Sequence, residues 1–315
     1  MNIDQSLFEG VIILFASVVL ALILKRVGIL KQEDSLTFSR IVLYVTLPAL
    51  VFASLSQRTF SPDYLLMAGA MSLVELLIML IAWLLAKLLK FDSGKTGALI
   101  LVSAFGMTTM LGYPLIRQVF PNNGLAMEEA VVSSEFGVGF LLFILGPMIA
   151  MYYGQAKVKG EDLAKSAKKF FISPIFIALV SGIAISFLPH EEISFLDPVI
   201  RLFRLIGNAN LLMVTFTIGV LIEFKRIKNV YLFLIIAIVL KLIIKPILGA
   251  ALTNTPAFTE MMREIILIET ALPSAILTVV FAKQYNCRPD LVSLAIMTTL
   301  VLSLATVSLM FYFAL

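Results

Sequence analysis

Lys241 and Lys245 interrupt an apolar run between about Val230 and Leu252. Their i, i+4 spacing puts both ammonium groups on one helical face. Charge at depth in an apolar helix is costly, faces the interior and marks pathways, so the pair is a candidate for holding an anion. The same lysines could instead snorkel to an interface or pair with a carboxylate. Glu75 is the obvious partner for Lys241, because it lies 11 residues after Tyr64 while Lys241 lies 10 after Tyr231, in runs that open alike. Glu269 and Glu135 are the other carboxylates inside apolar runs. A carboxyl group in that position is what a proton-coupled carrier titrates, and Glu269 is the better candidate of the two. The chain has one histidine, His190, and one cysteine, Cys287. That excludes an intrachain disulfide and argues against an all-protein Cys/His zinc site. No aspartates pair in adjacent runs, so an intramembrane enzyme lacks its nucleophile or metal dyad, and no cofactor is expected.

Polar groups also gather where helices must break. Thr108 and Thr109 precede Gly112-Tyr113-Pro114, and Glu269-Thr270-Ala271 precedes Leu272-Pro273-Ser274. Glycine lowers helix propensity, while proline removes a donor and clashes with the preceding turn. A lone membrane proline is ordinarily a kink. Paired interruptions at corresponding positions of two halves point to a transport site, with unwound backbone at the midplane. Helices resuming near Leu115 and Ser274 from opposite sides would aim two positive ends at one place and favour an anion there. Pro48 in the run around Tyr44–Phe52 could line the same cavity, as could Asn208 and Asn210. Packing is the alternative for the proline, and capping at the membrane surface for the asparagines.

These residues need a membrane to position them. Of 315 residues, 60% are apolar and 14% charged, against about 25% charged in a soluble domain. The apolar residues come in stretches of about 20, the length of a membrane helix, rather than in the short alternating strands of a barrel. Ten spans result: residues 7–27, 38–55, 64–89, 96–120 and 131–153, then 170–188, 198–222, 230–252, 262–282 and 291–313. The first follows an acidic start without a basic leader and reads as a retained span. Of the 24 basic residues, seventeen fall in one set of alternate loops and five (Arg58, Arg117, Arg201, Arg204, Arg263) in the other. Basic loops stay cytoplasmic, so both termini lie outside and the linker 155–169 inside. The net charge of +4 therefore marks membrane topology and not nucleic-acid binding. Five spans per half is an odd number, so repeats 1–154 and 170–315 would be inverted. The fold class expected is an all-α polytopic membrane protein of ten transmembrane helices.

At these residues the sequence resembles the auxin efflux carrier family, with its bacterial malonate and malate permease-like members. The resemblance rests on Leu47-Pro48-Ala49-Leu50-Val51-Phe52, Gly112-Tyr113-Pro114-Leu115, Lys245-Pro246, Pro273-Ser274-Ala275 and Phe281-Ala282-Lys283-Gln284-Tyr285. It implies two inverted five-helix repeats whose fourth and ninth helices break and cross. It also implies a scaffold of spans 1, 2, 6 and 7, a transport unit of spans 3–5 and 8–10, elevator-like alternating access and a homodimer. The chain departs from the family pattern at Thr108 and Thr109, where an asparagine is common, and at Asn210-Leu211-Leu212, where a proline is. The function expected is secondary transport of a small organic anion of the carboxylate class across the cell (inner) membrane, with a proton as candidate coupling ion. The alternatives are a sodium-coupled symporter of the bile-acid type and a non-transporting sensor.

Overall fold

A computed structural model describes residues 3–56, 63–121, 123–154, 168, 171–188, 194–221 and 230–314. All but one residue of the linker 155–169 lies outside that set. Among the described residues the regular structure is helical throughout, apart from one isolated bridge between two backbone segments. Among the described residues four helices are long and apolar enough to cross a membrane: Tyr64–Leu88, Gly124–Tyr153, Asp197–Thr217 and Tyr231–Thr253.

In chain order the helices are α1 (Ile3–Arg26), α2 (Asp34–Ile41), α3 (Leu47–Leu55), α4 (Asp63–Leu88), α5 (Ser93–Ala104), α6 (Tyr113–Val119), α7 (Gly124–Val132) and α8 (Phe140–Tyr153). They continue with α9 (Pro174–Ser186), α10 (Asp197–Asn208), α11 (Asn210–Leu221), α12 (Tyr231–Val239), α13 (Lys245–Thr253), α14 (Glu260–Ala271), α15 (Leu277–Gln284) and α16 (Pro289–Ala314). On α4 the residues Tyr64, Met67, Met71, Val74, Ile78, Ala82 and Ala86 are buried, at steps of three or four residues. Leu65, Leu73, Leu76, Leu80 and Leu84 are exposed on its other side. A helix apolar on both its packed and its open face needs hydrocarbon rather than water around it.

Wide π turns interrupt several helices. They span Val42–Thr46, Thr108–Gly112, Ser133–Gly139 and Leu240–Ile244. In three of the four the next helix carries a proline at its second residue: Pro48, Pro114 and Pro246. Proline offers no amide proton and its ring crowds the carbonyl four residues back. Widening the preceding turn moves the bonding by one residue: the Leu47 amide reaches Val42 O and the Lys245 amide reaches Leu240 O. At the start of a helix the missing donor costs nothing further.

The chain forms two compact units. One holds Met1–Tyr64, Thr109–Val131 and Phe171–Glu223; the other holds Leu65–Thr108, Val132–Phe170 and Phe224–Leu315. In the first, α3 packs on α9 and α10, and α1 on α6 and α11. Gly207 of α10 lies against the Leu50 backbone, where a Cβ would come within 2.9 Å of the Leu50 Cα. Small residues of this kind let membrane helices approach closely. In the second unit α5 packs on α8 and α16, α13 on α14, and α15 on α8 and α16.

Candidate functional site: a paired break in the second unit

Asp92 caps α5 by accepting from the Lys95 amide, and Thr259 caps α14 by accepting from the Met262 amide. Each cap opens a helix of 12 residues. Each helix then ends in extended backbone, at Phe105 (ψ 126°) and Leu272 (ψ 155°). Asp92 and Thr259, Phe105 and Leu272, and Tyr64 and Tyr231 are all separated by the same 167 positions.

The two extended segments pair antiparallel at Gly106 and Ser274. The Met107 amide donates to Pro273 O at 2.9 Å, and the Ala275 amide to Phe105 O at 3.0 Å. Unwound backbone inside a membrane has to find partners within the protein, and here each break supplies the other's. Ser274 adds more: its Oγ donates to Val102 O at 2.6 Å and its amide donates to Thr299 Oγ1 at 3.2 Å. The break predicted at Leu272-Pro273-Ser274 is therefore present. The one predicted at Gly112-Tyr113-Pro114 lies earlier, at Phe105-Gly106-Met107. Pro114 opens α6 rather than breaking a helix, and Gly112 has helical backbone angles (φ −65°, ψ −51°). Helical α structure resumes at Tyr113 and Leu277, not at Leu115 and Ser274.

Ionisable groups surround the pair. Lys245 Nζ meets Glu75 Oε1 at 2.5 Å, with both side chains fully buried, and also donates to Ala104 O. Lys241, fully buried as well, donates to Ala104 O at 3.4 Å. The ion pair expected between Glu75 and Lys241 is thus made by Lys245 instead. Lys245 is the first residue of α13, one turn further along the same face. Counting residues from Tyr231 took no account of the π turn that sets its depth. Two cations at the carbonyl end of α5 complement its helix dipole. Gly106 leaves room for them, since a Cβ there would stand 3.1 Å from Lys241 Nζ.

Glu269, two residues before the end of α14, is fully buried and accepts from Ser133 Oγ at 3.0 Å. Its Oε1 has no hydrogen-bond partner among the described residues. Ser134, the next hydroxyl along, donates to Thr108 Oγ1. Glu135 is buried in the same π turn, within electrostatic range of Glu269. The hydroxyls Ser133, Ser134 and Thr299 were not among the residues singled out from sequence. The triplet Ser133-Ser134-Glu135 and the doublet Thr298-Thr299, polar in otherwise apolar runs, were the available signal.

The remaining candidates belong to the first unit. Thr109 is partly exposed, and Gly112, Tyr113 and Pro114 are buried around α6, which packs on α1. Pro48 is half-buried at the start of α3. Asn210 is buried and accepts from Thr46 Oγ1 at 2.7 Å, and its Nδ2 has no partner among the described residues. Asn208 is exposed and accepts from Arg117 Nη2. Both asparagines fall inside the Asp197–Thr217 span, where α10 gives way to α11 at Ala209.

Residues 6–311 match the membrane transport protein family. The chain is 26% identical over 307 residues to an "Uncharacterized transporter" of Methanocaldococcus jannaschii, covering 96% of each protein. It is likewise 26% identical over 305 residues to an "Uncharacterized transporter" of Methanothermobacter thermautotrophicus, again with 96% of each covered. A match over nearly the whole chain, which takes in the Leu-Pro, Gly-Tyr-Pro and Pro-Ser motifs, makes this chain a member of the membrane transport protein family, the auxin-efflux-carrier-like family of membrane-spanning transporters.

Proposed function

We propose that this protein is a secondary active carrier that moves a small organic anion of the carboxylate class across the cell membrane, with Lys241 holding the anion and Glu269 carrying a coupling proton. The observation that carries the reading is the different bonding of the two buried lysines. Lys245 is committed to Glu75 and Ala104 O, whereas the hydrogen bond that Lys241 donates among the described residues is a long one to a carbonyl. Glu75 offsets Lys245, and Glu269 and Glu135 are further buried carboxylates of the same unit. Protonating Glu269 removes one negative charge from this cluster, and a monoanion replaces it. Proton and anion then enter the site together.

The recurrent spacing of 167 residues, and the opposite directions in which the two extended segments pass each other, support two inverted five-helix repeats within ten spans. The first compact unit, which gathers Met1–Tyr64 and Phe171–Glu223 together with Thr109–Val131, supports a scaffold of spans 1, 2, 6 and 7. An elevator-like cycle needs two units that each hold together by themselves, and the chain has two. Termini outside, a cytoplasmic linker and a scaffold-mediated homodimer belong to the same proposal. The experiment is a thermal-shift screen of mono- and dicarboxylates, followed by liposome uptake of each hit under separately imposed proton and sodium gradients. Flux driven by the proton gradient supports the proposal. Binding without flux, or flux driven by sodium alone, overturns it.

A further inference from the structure

The last four C=O groups of a helix have no donor within it. At the paired break of the second unit two such ends, those of α5 and α14, are buried. The end of α5 finds donors elsewhere: Val102 O accepts from Ser274 Oγ, and Ala104 O accepts from Lys245 and, over 3.4 Å, from Lys241. The positions 167 residues further on are Glu269 and Ala271 in α14. Neither of their carbonyls accepts a hydrogen bond among the described residues. The sequence accounts for the difference at Glu269. A continuing helix would bring it the amide of residue 273, and Pro273 has no amide proton. The residue 167 positions before Ser274 is Met107, whose thioether has no proton to donate either. Serine thus supplies on one arm of the break what methionine withholds on the other.

Glu269 O lies close to the lysine that would hold the anion. It stands 3.5 Å from the point a Cβ on Gly106 would occupy, and Lys241 Nζ stands 3.1 Å from the same point. A buried carbonyl without a donor costs free energy, most of all in a membrane interior. An ammonium and an unpaired carbonyl beside one glycine complement a ligand that carries an acceptor and a donor on neighbouring atoms. We propose that the carried anion is a 2-hydroxycarboxylate, whose carboxylate meets Lys241 and whose hydroxyl donates to Glu269 O. This rests on the proposal that Lys241 holds a carboxylate, and adds to it the donor. The hydroxyl belongs on the carbon that bears the carboxylate, because both protein groups lie within 3.5 Å of one point. Glycolate and lactate have this chemistry, whereas acetate and propionate offer the carboxylate alone.

The test titrates purified full-length protein with glycolate, acetate, propionate and methoxyacetate, reading each Kd from the thermal shift at equal ionic strength. The wild type should bind glycolate about tenfold more tightly than acetate. Propionate keeps roughly the size of glycolate, and methoxyacetate keeps its second oxygen without the proton. Both should bind no better than acetate. Met107→Ser gives Glu269 O a hydroxyl from the protein, as Ser274 does for Val102 O. That variant should bind glycolate and acetate within about twofold of each other. Should it fail to fold, the four ligands on the wild type decide. Glycolate bound no tighter than acetate, or methoxyacetate bound as tightly as glycolate, overturns the hydroxyl contact and leaves the carboxylate at Lys241 standing. An undiminished preference for glycolate in Met107→Ser also overturns the contact. No binding of any of the four, or binding by Lys241→Gln equal to that of the wild type, overturns both proposals.

Discussion

Lys241 and Lys245 share a helical face and a charge, but the protein holds them differently, and substitutions should separate them. Removing one partner of a fully buried ion pair leaves the other charge uncompensated, at a cost of about 3–5 kcal/mol. Lys245→Met should therefore destabilise the protein severely, and adding Glu75→Leu should restore much of the loss, as measured by thermal unfolding in detergent. Lys241→Gln removes a long hydrogen bond to a carbonyl and one of two neighbouring like charges. We expect a Tm close to wild type and loss of anion binding in the same assay. Both lysines were identifiable from sequence as candidates, because charge in an apolar run is conspicuous. Which of them meets Glu75 was not, since the pairing depends on a π turn that shifts residues by a fraction of a helical turn.

At the scale of elements, two 12-residue helices stop short and lend each other their missing hydrogen bonds. Leu272-Pro273-Ser274 could be read directly, because proline in mid-helix leaves few alternatives. Phe105-Gly106-Met107 could not. Its extended backbone is stabilised by a segment 167 residues away, and no local propensity reports that. Pro114 drew attention seven to nine residues too late, although proline is well tolerated where it stands, at the second residue of α6. Gly106→Ala provides a direct check. The added methyl meets the end of a flexible lysine at 3.1 Å rather than rigid backbone. We expect a loss of about 1 kcal/mol or less in stability together with a clear weakening of carboxylate binding. Equal binding in the variant and wild type would separate Lys241 from the ligand.

For the whole molecule, hydrocarbon takes the place of water around α4 and its neighbours, so composition alone was enough to place the chain in a membrane. Family membership accords with that placement, and the two compact units show where the chain changes partners, at Tyr64 and again near Thr108 and Val131. Residue spacing does not reveal those crossings, since they are made by packing between distant spans. One practical consequence concerns Cys287, in the turn between α15 and α16. It is fully buried, and burial pushes its thiol up to about 12. Since the thiolate is the reactive form, the native protein should resist maleimide at pH 7–8 and label fully in SDS, as read by mass spectrometry. Engineered cysteines could then report on either unit without removing the native one.

The central claim is that Glu269 loads a proton together with the anion. Its most direct test is carboxylate uptake into proteoliposomes under an imposed pH gradient, comparing the wild type with Glu269→Gln. We predict that the gradient drives accumulation by the wild type, and that the variant exchanges carboxylate across the membrane but no longer responds to the gradient. Gradient-driven accumulation by Glu269→Gln equal to that of the wild type would contradict the account.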